Sequence, residues 1–172
     1  IKFRIISGEN EDFVRDIELK SEQNFLDFHL AIESACNFDN NPLACFFMSN
    51  DNWDKGQEIV NEIMDAETQK DCLLTEEVKL SDMITKKGQK IIYIFDLFSV
   101  RAFFVEVVNM REVDNTDKDL EYPICTLAKD PAPKQFFIDE NDMLADLDGL
   151  NDEFDDGYDD LEGFDNIDDY DF

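Results

Sequence analysis

All 15 lysines and arginines of this 172-residue chain fall within residues 1–134, while residues 135–172 hold 16 aspartates and glutamates and no base. That segregation constrains the fold more than any other feature. A stretch repelling itself so strongly cannot supply a core, so the fold must be built from the first 134 residues. They carry 27 acids against the 15 bases, a net of −12, and the last stretch adds −16 to give the formal charge of −28. The 43% hydrophobic content and 16 phenylalanines give the body enough apolar surface to offset chain entropy. The expectation is one α+β domain over 1–134 and an acidic, aromatic-rich tail over 135–172.

Charge of this sign and size also bears on partners. Binding nucleic acid relies on Lys and Arg displacing counterions from phosphates, so direct nucleic-acid binding is disfavoured. The four cysteines, Cys36, Cys45, Cys72 and Cys125, form no C-x-x-C pair and read as reduced and mostly buried. Ile1-Lys2-Phe3-Arg4 already has a strand pattern, and no apolar run reaches membrane-spanning length, so a cytoplasmic location without membrane attachment is expected.

Alternation of Phe3, Ile5 and Ser7, then of Phe13, Arg15, Ile17 and Leu19, across the turn residues Ser7-Gly8-Glu9-Asn10 predicts a β-hairpin. Ser21 is the expected cap of a following helix, with Glu22 in its first turn. Phe25, Phe28, His29, Ile32 and Cys36 recur at helical spacing up to about Asn37. Pro42 opens a strand at about 43–48. Residues 50–78 read as polar and irregular, with short strand content around Ile59 and Val60. A short helix at 80–84, a turn at Lys87-Gly88, and strands at 90–97 and 101–113 follow. The last two are apolar on both sides, which predicts central positions in the sheet. Asp130-Pro131-Ala132-Pro133 marks the exit from the body.

The helix Phe25-Leu26-Asp27-Phe28-His29-Leu30-Ala31-Ile32-Glu33-Ser34-Ala35 followed by Leu43 and Phe46, and the later Leu80-Ser81-Asp82 and Tyr93-Ile94-Phe95-Asp96, resemble the plasmid pRiA4b ORF-3-like family. The resemblance runs through roughly residues 1–134. It implies an α/β roll, a mixed, mostly antiparallel sheet packed on one main helix, and an association with mobile elements. His29 and Asp96 fit the family pattern. Asn37 and Phe38 replace its Gly-Trp, Pro42 stands at its second histidine, and Phe98, Ser99, Arg101 and Phe103 take the places of Gly, Asp, Trp and His.

Two classes of function follow. In the enzyme reading, His29, the only histidine, and Asp96 serve a metal-dependent hydrolase or nuclease-like reaction. Against it, His29 between Phe25 and Ile32 reads as a core residue bonded to a carbonyl or carboxylate. Successive cysteine spacings of 9, 27 and 53 residues match no compact zinc site. An EF-hand alignment of the tail puts Phe154 at the third loop position and Gly163 at the twelfth, where oxygen ligands belong. No phosphate loop, dinucleotide fingerprint or nucleophile elbow is present, and no cofactor is expected.

In the favoured reading the chain is not an enzyme but a protein-interaction module. Leu147, Leu150, Phe154, Tyr158, Leu161, Phe164, Ile167 and Tyr170 recur every three or four residues among the carboxylates. Gly149, Gly157 and Gly163 oppose an isolated helix, each at about 1 kcal/mol relative to alanine. The tail is a solvating extension, or it docks on its own body or a second copy, or it binds a basic protein. Phe154, Tyr158, Leu161, Phe164 and Tyr170 are the expected anchors.

Overall fold

The computed structural model describes residues 1–63, 71–114, 117 and 119–136. The chain divides into Ile1–Gln135 and Phe136–Phe172, and of the second unit only Phe136 is among the described residues. The reading of a docking tail with anchors at Phe154, Tyr158, Leu161, Phe164 and Tyr170 therefore lies outside them.

Within the first unit the elements run β1 (Lys2–Ser7), β2 (Val14–Glu18), α1 (Phe25–Cys36), β3 (Cys45–Ser49), β4 (Lys55–Val60), β5 (Cys72–Leu74), α2 (Leu80–Met83), β6 (Lys90–Asp96), β7 (Arg101–Asn109) and β8 (Ile124–Lys129). They form one mixed sheet in the order β5-β4-β3-β6-β7-β1-β2-β8, an α+β architecture with one main helix. All neighbouring strands are antiparallel except β4 and β5. β6 and β7 hold the two central places, as their apolar character on both sides predicted.

The first hairpin forms because Phe3, Ile5 and Ser7 face inward while Arg4 and Ile6 face out, with Phe3 opposite Ile17 and Ile5 opposite Arg15. The inner face then receives α1. Phe28 stacks on Phe3 at 4.3 Å and on Phe46 at 5.4 Å between ring centres, and Phe25 meets Phe46 edge-on. Phe95 and Phe103 extend the aromatic layer to Phe38 and Phe13. These rings are fully or almost fully buried, apart from Phe38, which packs at the margin. Much of the body's stability comes from this layer, since each large aromatic removes far more apolar area from water than an aliphatic side chain.

The helix begins later than the sequence suggested. Asn24, not Ser21, caps it: Asn24 Oδ1 accepts from the Asp27 amide at 2.9 Å, and Asp27 Oδ2 accepts from the Asn24 amide at 3.3 Å. Ser21 is unsuited because its carbonyl and that of Gln23 accept the amides of Ser81 and Leu80 at the start of α2. The first-turn acid is accordingly Asp27 rather than Glu22. At the other end Asn37 turns into the left-handed region at φ 56°, and the Phe38 amide reaches back to the Glu33 carbonyl at 2.9 Å. Asn37 thus does the work a glycine does in such a cap.

Three strands were under-read. β4 was expected only near Ile59, yet it starts at Lys55, where its exposed polar side chains hide a ladder paired with β3. β5 has only three residues. β8 lies between the expected strand at 101–113 and the Asp130-Pro131 exit, where no element was expected, and all its residues but Ile124 are exposed, so it carries almost no burial signal. The strand expected at 101–113 stops at Asn109, where its pairing with Lys2 ends.

The Asn37 cap yields a direct test. Asn37→Gly should leave stability unchanged or slightly raised, whereas Asn37→Val should lower it by about 1–2 kcal/mol, because a β-branched side chain in the left-handed region meets its own backbone. Urea unfolding of the two variants reads the difference.

Candidate functional site

One set of buried polar side chains, His29, Tyr93, Glu33 and Asn41, gathers where α1 packs over β6. His29 is 2% exposed, with Nδ1 2.8 Å from the Tyr93 hydroxyl and Nε2 3.2 Å from Glu33 Oε1, one helical turn on. Glu33 Oε1 also accepts the Asn41 amide at 2.8 Å, and Asn41 Nδ2 donates to the Phe95 carbonyl at 2.7 Å. One proton arrangement satisfies every atom. Tyr93 O–H donates to Nδ1, and the Nε2 proton goes to Glu33. The chain continues outward from the Asn41 loop: Asn61 Nδ2 donates to the Ala44 carbonyl, and the Thr75 hydroxyl donates to Asn61 Oδ1. Among the described residues no buried side-chain nitrogen or oxygen lacks a partner.

Burial sets the charge states here. It pushes His29 down to about 4, so the imidazole is neutral at physiological pH. Tyr93 is raised well above the ordinary tyrosine range, chiefly by its burial and then by the nearby Glu33 charge. Glu33 is raised by burial, an effect opposed by the hydrogen bond from Asn41. Cys36 and Cys45 are buried thiols pushed up to about 12, which suppresses the thiolate that metal binding or nucleophilic attack would need.

Asp96 has different partners from His29. It is 3% exposed at the end of β6, accepts the Ser99 amide at 3.2 Å, and lies 3.8 Å from Arg101 Nη1. Arg101 forks onto Glu9 at 2.7 and 2.8 Å, packs over the Phe95 ring, and donates to the Gln135 carbonyl. Asp96 therefore organises the turn at residues 97–100. That turn presents apolar side chains outward: Phe98 is 84% exposed, and Val100 adopts φ 53°, a conformation β-branched residues rarely take. Among the described residues no three His, Cys, Asp or Glu side chains gather as a metal site needs.

Sequence reasoning missed two surface concavities. A cleft of about 490 Å³ lies beside Lys2, Lys20, Arg111, Glu18 and Tyr122. Its cations are largely neutralised locally, Arg111 by Asp117 and Glu18, and Lys2 by Glu18 and Asp16. A groove of about 400 Å³ runs between α1 and β8, lined by Ile17, Leu30, Ala31, Ala35, Pro123 and Cys125, with Asp27 and Ser34 at its polar margin. Leu30, whose helical spacing with Leu26 widens the expected apolar stripe of α1, is instead 48% exposed and walls this groove, so nothing in the sequence marked it. No described helix is long and apolar enough to cross a membrane.

Comparison with known proteins bears on the fold. The family model described as plasmid pRiA4b ORF-3-like protein matches residues 2–167, extending past the body through most of the acidic stretch. The crystal structure of a protein of unknown function from Methanosarcina mazei Go1 superposes with a TM-score of 0.62 at 24% identity, covering 87% of this chain and 80% of that one. The likeness is one of fold. No match was found among curated proteins.

The lone histidine allows a clean check on the buried network. Its folded value lies below the ordinary value of about 6.5, so the unfolded chain binds the proton first as pH falls. Stability from this group is complete above about 6.5 and is lost toward 4, at about 1.4 kcal/mol per pH unit. In NMR the single imidazole signal should stay at its neutral position through pH 6. A midpoint near 6.5 in the folded protein would contradict the buried assignment.

Proposed function

This chain belongs to the plasmid pRiA4b ORF-3-like family, and from that premise we propose that it is a non-catalytic protein-interaction module whose acidic segment selects a basic protein partner. One observation carries the reading: 16 carboxylates without a base, interleaved with large apolar residues every three or four positions. Solubility needs the charges but not the aromatics. Phe154, Tyr158, Leu161, Phe164 and Tyr170 supply hydrophobic anchoring, and the carboxylates set partner choice and speed encounter.

A basic partner is favoured over the chain's own body or a second copy because the body is itself at −12. Bringing −16 against it is opposed by like-charge repulsion, though salt weakens this. The interior polar groups support the same reading from the other side. His29 and Asp96, the pair an acid–base reaction would use, are each held by other residues.

The test keeps the charge and removes the anchors. In the full chain, Phe154, Tyr158, Leu161, Phe164 and Tyr170 are replaced together by serine, and binding to a lysine-rich protein identified by crosslinking to the native chain is measured by calorimetry. Affinity should fall by more than about tenfold with the unfolding temperature of the body unchanged. Equal affinity in the variant would remove the acidic segment as the binding element.

A further inference from the structure

Sheets with a free edge are templates for another strand, and native proteins usually blunt such edges with short strands, charges or a covering element. This sheet ends in β5, only three residues long, on one side and in β8 on the other. β8 is six residues long, Ile-Cys-Thr-Leu-Ala-Lys, with no proline inside it and one charge at its far end. Among the described residues it pairs with β2 alone, and no element covers its outer edge. The Leu127 carbonyl accepts from Cys125 Sγ and the Lys129 carbonyl from Arg15; among the described residues the edge meets no further strand.

Beside this edge lies the groove against α1. Its side chains are small where β8 and the helix face each other, at Ala31, Ala35 and Cys125, and Leu30 forms an exposed wall. The closed end is fixed by Arg15, whose guanidinium donates to the Ala35 carbonyl of α1 and to the Lys129 and Asp130 carbonyls at the end of β8. From Asp27 to Ser34 the helix rises about 10 Å, the length of about three extended residues. A free strand edge beside an apolar helical wall is the geometry by which domains capture extended peptides: the backbone supplies hydrogen bonds and alternate side chains enter the groove.

We propose that β8 and α1 form a strand-addition site for an extended, basic segment of a partner protein, with apolar side chains at alternate positions. The basic character follows from charge complementarity. Asp27 is the carboxylate lining the groove; of the cations at its closed end, Arg15 is held by the Ala35, Lys129 and Asp130 carbonyls and Lys129 by Asp12 and Asp130, and the body is at −12, which disfavours acidic segments, including this chain's own. The site is independent of the acidic segment and needs none of its anchors.

The probe is the synthetic peptide Lys-Val-Lys-Val-Lys-Val with blocked ends, compared with its Glu-Val counterpart, at about 0.3 M salt, where diffuse attraction to the acidic segment is screened. The protein is the full chain carrying Cys72→Ser. Cys36 and Cys45 are buried, so Cys125 becomes the accessible thiol. At about ten times its Kd, the basic peptide should slow alkylation of Cys125 and amide exchange across β8 about tenfold. Leu30→Lys, a change at a surface position, should weaken this protection about tenfold without lowering the unfolding temperature. The five-serine variant should be protected as well as the native chain, so this result stands or falls apart from that of the acidic segment. Absence of protection at β8, equal protection by the Glu-Val peptide, or undiminished protection in Leu30→Lys would each overturn the proposal. Protection that grows with protein concentration in the absence of peptide would overturn it in favour of a second copy pairing edge to edge.

Discussion

Tyr93 and Glu33 close on the two ring nitrogens of His29, and the seating of the helix depends on that closure. An apolar face alone would let α1 slide over the aromatic layer, because dispersion and the hydrophobic effect are largely non-directional. The imidazole gives the contact a register: one nitrogen must meet the hydroxyl on β6, and the other must meet a carboxylate on its own helix. Glu33 then holds the Asn41 amide, which carries the chain from the helix end into β3. A half-made network of this kind would be costly in a dry interior, and here every member is satisfied.

The residues that look chemical in the sequence do not meet each other: His29 is bonded to Tyr93 and Glu33, and Asp96 accepts the Ser99 amide beside Arg101. Among the described residues the apolar turn at Phe98 and the groove between α1 and β8 lie at the surface. The family match and the likeness to a structure of unknown function are compatible with an interaction role without specifying it.

Much of the fold was legible because its elements obey strong periodicities. The alternation at Phe3 and Ile5, the helical stripe from Phe25 to Cys36 and the two-sided apolar runs of β6 and β7 each report burial, and burial is what a pattern can show. β5, β8 and the first part of β4, before Ile59, were not legible because edge and half-exposed strands are stabilised by backbone ladders, to which side-chain type is nearly blind. The cap was misassigned to Ser21 because several polar residues precede the helix, and only the use of the Ser21 and Gln23 carbonyls by α2 decides among them. His29 could be read as a core residue bonded to a carbonyl or a carboxylate, and Glu33 is that partner. The link of His29 to Tyr93, 64 positions away, could not be read, since nothing local to either residue encodes it.

The buried network of His29, Tyr93 and Glu33 gives α1 its register on the sheet. A double-mutant cycle on His29→Gln and Tyr93→Phe, followed by urea unfolding, tests it most directly. If the two side chains seat the helix together, each single change should be destabilising and the pair should show a coupling of about 0.5–3 kcal/mol. Additive effects, or single variants as stable as the native chain, would contradict the account and return His29 to the candidates for chemistry.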